Sequence, residues 1–179
     1  MAKNATVVLR GTAMYAKVLG DPVLNYDKDG KEWKFDFIPD AQKETAKDLA
    51  GYGIGDRLRS KTKKDGTDLY EGKKFMSFRQ REFTKDGKSN EPIAVVDALG
   101  KPWDDNALIG NGSRIDVRFA VVDYGEGKKH GVYPRKIRVL EHVPYEADDF
   151  APLSEDDEFF QQAVAAQKAY DNMDDEIPV

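Results

Sequence analysis

The chain has 179 residues, enough for one domain with its own core plus an appendage. It has no cysteine and only two histidines, His130 and His142, which excludes disulfides, thiolate metal sites and a histidine-rich metal centre; neither metal nor cofactor is expected. The net charge of −5 hides an asymmetry: residues 146–179 carry −10, with one lysine, and residues 1–145 carry +5. A basic body joined to an acidic tail points to a polyanionic partner.

In chain order, strands are expected at about 5–18, 32–38, 56–63, 69–83, 92–97, 113–123 and 132–143. Three Lys-Asp-Gly triplets, with turns at Asp29-Gly30, Asp65-Gly66 and Asp86-Gly87, punctuate the first half. Asp-Gly between strand-like runs is a hairpin signal, because the central residues of a tight hairpin favour positive φ. The aromatic residues of Trp33-Lys34-Phe35-Asp36-Phe37 share one parity, as do the apolar residues of Ile115-Asp116-Val117-Arg118-Phe119-Ala120-Val121, so each set should share a face. Between these strands Asp40 is placed to cap a helix over 41–51, with Ala46, Leu49 and Ala50 facing inward. One helix among five or more strands describes an all-β domain, a small antiparallel barrel with extended hairpins. It should occupy residues 1–145.

Beyond Pro144-Tyr145 the composition changes, and residues 146–179 form an acidic appendage. Glu146–Leu153 reads as a linker, and Ser154 as the cap of a helix reaching about Tyr170, with acids in its first turn. The last nine residues should be disordered in isolation. No apolar run approaches the ~20 residues of a membrane helix and no signal-peptide pattern opens the chain. A soluble cytoplasmic protein with no membrane partner is therefore expected.

Three constellations could carry function. In the first, Arg57, Arg59, Lys61 and Lys63 alternate along one expected strand, Arg79 and Arg81 along the next, and Lys73 and Lys74 lie between them. Arg135, Lys136 and Arg138 form a third basic group. Tyr70, Phe75, Phe78 and Phe83 are interleaved with the hairpin, and Tyr124 and Tyr133 border a later loop. Cations that neutralise phosphates beside rings that stack on bases are what sequence-independent single-strand binding requires, at ~1–3 kcal/mol per stacked base. Set against this, strand cations commonly serve solubility, and Phe75 or Phe78 could belong to the core.

The second constellation is Val95-Val96-Asp97, Gly100-Lys101 and Ile109-Gly110-Asn111-Gly112-Ser113. Its glycines resemble a phosphate cradle, but a β-pattern follows where a nucleotide site needs a helix, so a turn into a strand is the better reading. This segment is similar to the signature of the OB-fold single-stranded DNA-binding proteins of T-odd bacteriophages. The likeness extends in outline to Met1-Ala-Lys, Gly11-Thr-Ala, Ile38-Pro39-Asp40 and roughly Lys136–Val143. It implies an OB fold, non-specific binding of single-stranded DNA in phage replication, recombination or repair within a bacterial host cell, and an acidic tail. It also implies that a tail-mediated homodimer can form.

The third constellation is the tip Asp174-Asp175-Glu176-Ile177-Pro178-Val179. It resembles the tail tip of bacterial single-stranded DNA-binding proteins, in which acids precede Ile-Pro and a terminal phenylalanine; Val179 stands in that last place here. The resemblance implies docking of the tip on replication or recombination enzymes, where acids steer the encounter and an apolar terminus anchors it. No catalytic grouping stands out. Asp104-Asp105 and Asp156-Asp157 are of the type that ligates magnesium in a nuclease, but solvated loop and helix-start positions account for them. The rival reading is an acidic DNA mimic that engages other proteins and never binds DNA.

Overall fold

The computed structural model describes residues 4–145 and 155–175, which fall into two units, one on each side of residue 146. In the first, the parity of the sequence sets the core. Strand β3 (Lys31–Pro39) buries Trp33, Phe35 and Phe37, and β6 (Ser113–Val122) buries Ile115, Val117, Phe119 and Val121. The long strand β1 (Asn4–Lys17) lies between them, antiparallel to both. Strand β4 (Met76–Arg81) pairs on the far side of β3 and β7 (Gly131–Glu141) on the far side of β6, giving the order β4-β3-β1-β6-β7.

Four antiparallel pairings leave β4 and β7 pointing the same way. They approach each other without a hydrogen-bonded ladder, so the sheet curls into a half-barrel with an open seam. This is the five-stranded OB-type arrangement, trimmed by two short strands, β2 (Val23–Leu24) on β3 and β5 (Ala94–Val96) on β7. The β5–β7 pair is parallel, an exception to the antiparallel barrel expected. Phe35 stacks on Phe78 at 5.0 Å, and Phe78 meets Phe119 at the same distance, knitting β3, β4 and β6 together. Each such ring contributes roughly 1.5–3 kcal/mol by leaving water.

Several expectations are corrected. Residues 56–63 form no regular strand: a short 3₁₀ turn covers Gly55–Arg57, and two isolated bridges, Arg59 to Phe75 and Thr62 to Asp68, follow. Leu58 is the sole apolar residue of that stretch, so there is no face to bury against the sheet. The strand expected from 69 starts only at Met76, because Glu71 and Gly72 both take positive φ, 51° and 81°. The Lys-Asp-Gly turns at 63–67 and 84–88 are three-residue loops in which only the glycine has positive φ. In the 25–30 turn the positive φ falls on Lys28.

Helix α1 (Gln42–Gly51) forms with Leu49 buried and Ala46 packed against the core as expected, but Thr45 joins them and Ala50 is exposed. Asp40 does not cap it. Its carboxylate is held by both terminal nitrogens of Arg114 on β6, a charge-assisted fork that outbids a backbone N–H. That pairing keeps the Asp40 carboxyl below its usual range.

In the second unit, α2 (Glu158–Asp175) starts later than expected and runs past Tyr170 into the segment expected to be disordered; Asp157 caps it, its carboxylate accepting from the Phe159 N–H at 2.8 Å. Ser154 lies outside the described residues. Phe159, Val164 and Tyr170 are exposed along the helix. No helix among the described residues is long and apolar enough to cross a membrane.

Candidate nucleic-acid interface

The open seam between β4 and β7 is a groove of about 750 Å³, within the size range of ligand clefts. Period-2 geometry supplies one wall. Phe78 and Gln80 point into the core, so Arg79 and Arg81 point out of β4 and into the groove. Phe83 and Lys85 extend that wall from the loop after β4. Tyr26, in the turn before β3, lies at the same groove. The opposite wall is Tyr124, just past β6, with Tyr133 and Arg135 on β7. Tyr26 is 89% exposed and Phe83, Tyr124 about half, so their ring faces are available for stacking.

The two tyrosines of the β6–β7 wall are fixed to each other. Their hydroxyls are hydrogen-bonded, which holds the Tyr133 phenol above its usual pKa, and Arg135 lies over the Tyr133 ring at 5.5 Å. Arg81 and Lys85 make no ion pair among the described residues. Their charge is therefore available to an incoming phosphate.

Arg79 also borders two smaller hollows that prolong the groove. One is lined by Arg57, Arg59 and Lys129, the other by Tyr15, Lys34, Arg59 and Lys61. The cationic stripe thus survives without the strand expected to carry it, because the Arg59–Phe75 bridge lays the 57–61 segment beside β4. Lys63 and Lys73 are exposed in loops and border none of these hollows.

A β-bulge divides the third basic group. Between β6 and β7 the register passes from Arg118–Lys136 to Phe119–Pro134, leaving Arg135 as the extra residue. It turns toward the seam, whereas Lys136 and Arg138 stay on the outer face of β6–β7. There they line a separate hollow with Val8, Leu99, Asp116 and Arg118. Asp116, with its side chain 7% exposed, binds Arg10 at 2.8 Å and also Arg138. The hydrogen bond from Arg10, reinforced by Arg138, lowers its pKa against the cost of burial.

Of the aromatic residues read as stacking platforms, Phe83, Tyr124 and Tyr133 are in the groove. Tyr70, Phe75 and Phe78 are buried. Phe78 shares the inward parity of β4, and Tyr70 packs edge-on against Phe75 while donating its hydroxyl to Asp36 at 2.7 Å. Burial and that bond push the Tyr70 phenol well above its ordinary pKa. Phe75 still bears on the cationic surface, since Arg59 lies over its ring. Sequence reasoning missed Tyr26 and Tyr15. Tyr26 carried a usable signal, an aromatic residue inside a turn, where no core is near. Tyr15 is turned outward by a bulge in β1 and a positive φ of 51°, which alternation alone does not reveal.

The Val95–Ser113 segment builds the fold rather than the groove. Asp97 accepts from the Leu99 and Lys101 amides and closes the turn after β5. At Gly110 a Cβ would stand 2.4 Å from the Pro144 carbonyl oxygen, and Gly112 has φ 91°. Ser113, fully buried, donates to the Gly110 carbonyl and accepts from the Val143 N–H, so it pins the end of β7 to the start of β6. Among the described residues no cluster of acids and histidines could hold a metal. Of the tail tip, Asp174 and Asp175 end α2, and Glu176, Ile177, Pro178 and Val179 lie outside the described residues.

A curled five-stranded sheet with a cationic, ring-lined seam defines an OB-type body. Solved structures that share this architecture include phage single-stranded DNA-binding proteins. That of bacteriophage Enc34, in complex with single-stranded DNA, matches with a TM-score of 0.53 at 12% identity, over 80% of this chain and 89% of that one. Its C-terminally truncated form gives 0.49 at 12% identity over 79% and 88%. The protein encoded by bacteriophage T7 gives 0.47 at 19% identity over 83% and 97%. At such identities the likeness establishes the fold. No family model matches the chain, and no curated protein sequence does.

Proposed function

We propose that the protein is a phage single-stranded DNA-binding protein that coats DNA in replication, recombination or repair without catalysing a reaction. The observation that carries this reading is the seam groove, where Tyr26, Phe83, Tyr124 and Tyr133 stand beside Arg79, Arg81, Lys85 and Arg135. Rings offer stacking to any base and cations offer salt-dependent attraction to phosphate. The Enc34 protein that shares the fold is one solved with single-stranded DNA, which supports the same ligand here. Titrating the intrinsic tyrosine and tryptophan fluorescence with oligo(dT) at two salt concentrations tests the proposal. Quenching that weakens steeply with salt is expected, and no salt-dependent binding would leave the DNA-mimic reading in its place.

The body and the tail act as separate domains in this proposal. The −10 tail, tethered to the +5 body, competes with DNA for the groove and, once displaced, presents its Ile-Pro-Val tip to DNA-processing enzymes or a second copy of the chain. Deleting residues 146–179 should raise single-strand affinity, most at low salt, and admit duplex DNA as well. Unchanged or weaker binding refutes the competition.

A further inference from the structure

The seam groove contains a buried polar group that the described residues leave unsatisfied. Glu32 on β3 lines the groove at 3% exposure, and its Oε1 has no hydrogen-bond partner among the described residues. The Arg79 Nε stands 4.0 Å from it, beyond hydrogen-bond length. The side-chain amides around the groove donate elsewhere. Asn25 exchanges two bonds with Asp29, Gln80 donates to the Glu91 carbonyl, and Asn90 donates to the Arg81 carbonyl. A buried carboxylate oxygen without a donor is costly, so a ligand that brings one gains affinity from it.

We infer that Glu32 reads base edges, favouring nucleobases with an exocyclic amino group over thymine. The inference rests on the single-strand reading of the groove. Rings that hold a base by its faces leave its edge free to turn toward the floor, where the carboxylate accepts. Cytosine and adenine offer an amino group there, and guanine offers adjacent N1–H and N2–H donors. Thymine offers a single imino N–H between two carbonyl oxygens, which a carboxylate repels. The groove therefore adds a base preference to stacking that is otherwise indifferent to sequence.

The test uses the full-length protein with oligo(dC) and oligo(dT) of equal length at one salt concentration. It adds an oligonucleotide of 2-pyrimidinone, which is cytosine without its amino group. Wild type should bind oligo(dC) about fivefold more tightly than the 2-pyrimidinone strand. Glu32→Gln should lower the ratio of dT to dC dissociation constants by about the same factor. Any uniform gain from removing a negative charge cancels in that ratio. The 2-pyrimidinone comparison needs no variant and holds even where Glu32→Gln fails to fold. An unchanged ratio in Glu32→Gln, or equal binding of the cytosine and 2-pyrimidinone strands by wild type, overturns the assignment. Binding of none of these strands overturns the single-strand reading and the inference with it.

Discussion

Two basic hollows share the body and differ in what their cations do. On the outer face of β6 and β7, Arg10 and Arg138 are tied to Asp116, and the apolar neighbours Val8 and Leu99 are aliphatic. In the seam, Arg81 and Lys85 have no carboxylate partner among the described residues, and the neighbours are exposed rings. Both hollows look alike as runs of arginine and lysine. What separates them is whether an aromatic face stands next to the charge. Arg118 and Lys136 of the outer hollow also lack a carboxylate partner among the described residues, and Arg79 of the seam faces Glu32. Unpaired cations are present in both hollows, so the exposed rings make the seam the better site for bases and phosphates together.

The largest contrast is expected from charge removal. The triple change Arg79→Ala, Arg81→Ala, Arg135→Ala should lower oligo(dT) affinity at least thirtyfold at low salt. It should also flatten the dependence of log K on log salt by about 2, at ~0.7 per lost phosphate contact. Lys136→Ala with Arg138→Ala should change affinity by less than about threefold. Equal losses from the two sets, measured by fluorescence titration at four salt concentrations, would erase the distinction between the hollows.

The aromatic residues sharpen the comparison next. Tyr26→Ala and Phe83→Ala should each weaken binding by ~1–3 kcal/mol and leave the melting temperature unchanged, because both rings are exposed. Phe78→Ala, by contrast, should cost ~3–5 kcal/mol of stability, because that ring stacks between Phe35 and Phe119. Thermal melts and titrations of the same three variants check this. A binding defect without destabilisation in Phe78→Ala would reverse the roles assigned to the two faces of the paired strands β3 and β4.

The smallest effect belongs to the outer hollow. Asp116→Asn should cost ~1–2 kcal/mol of stability at neutral pH, since two half-exposed arginines lose their common counter-charge. The folded carboxyl titrates below its unfolded value, so its contribution is complete above about pH 4 and is lost as pH falls through the lower folded pKa. Acid denaturation curves of the wild type and Asp116→Asn should therefore converge in that window. Curves that stay parallel to below pH 2 contradict the assignment of this pair.

The parts legible in the sequence were those governed by local parity. The inward sides of β3 and β6 follow directly from Trp33-x-Phe35-x-Phe37 and from Ile115 to Val121, and they build most of the core. The charge division near residue 146 is a matter of composition and coincides with the boundary between the two units. What stayed hidden depends on register. The bulge that separates Arg135 from Lys136, and the one that exposes Tyr15, each follow from a partner strand distant in sequence. Alternating charges at 57–63 imitated a strand whose apolar face was missing. Phe78 shared the expected hairpin with Phe83, but its parity toward the core had to be seen against Phe35.

Ultraviolet cross-linking of the full-length protein to oligo(dT), with the adducts mapped by mass spectrometry, tests the central claim most directly. Adducts at Tyr26, Phe83, Tyr124 and Tyr133 are predicted, with few or none at the β6–β7 outer face. A complex whose adducts cluster around Leu99, Lys136 and Arg138, leaving the seam unmodified, would contradict it.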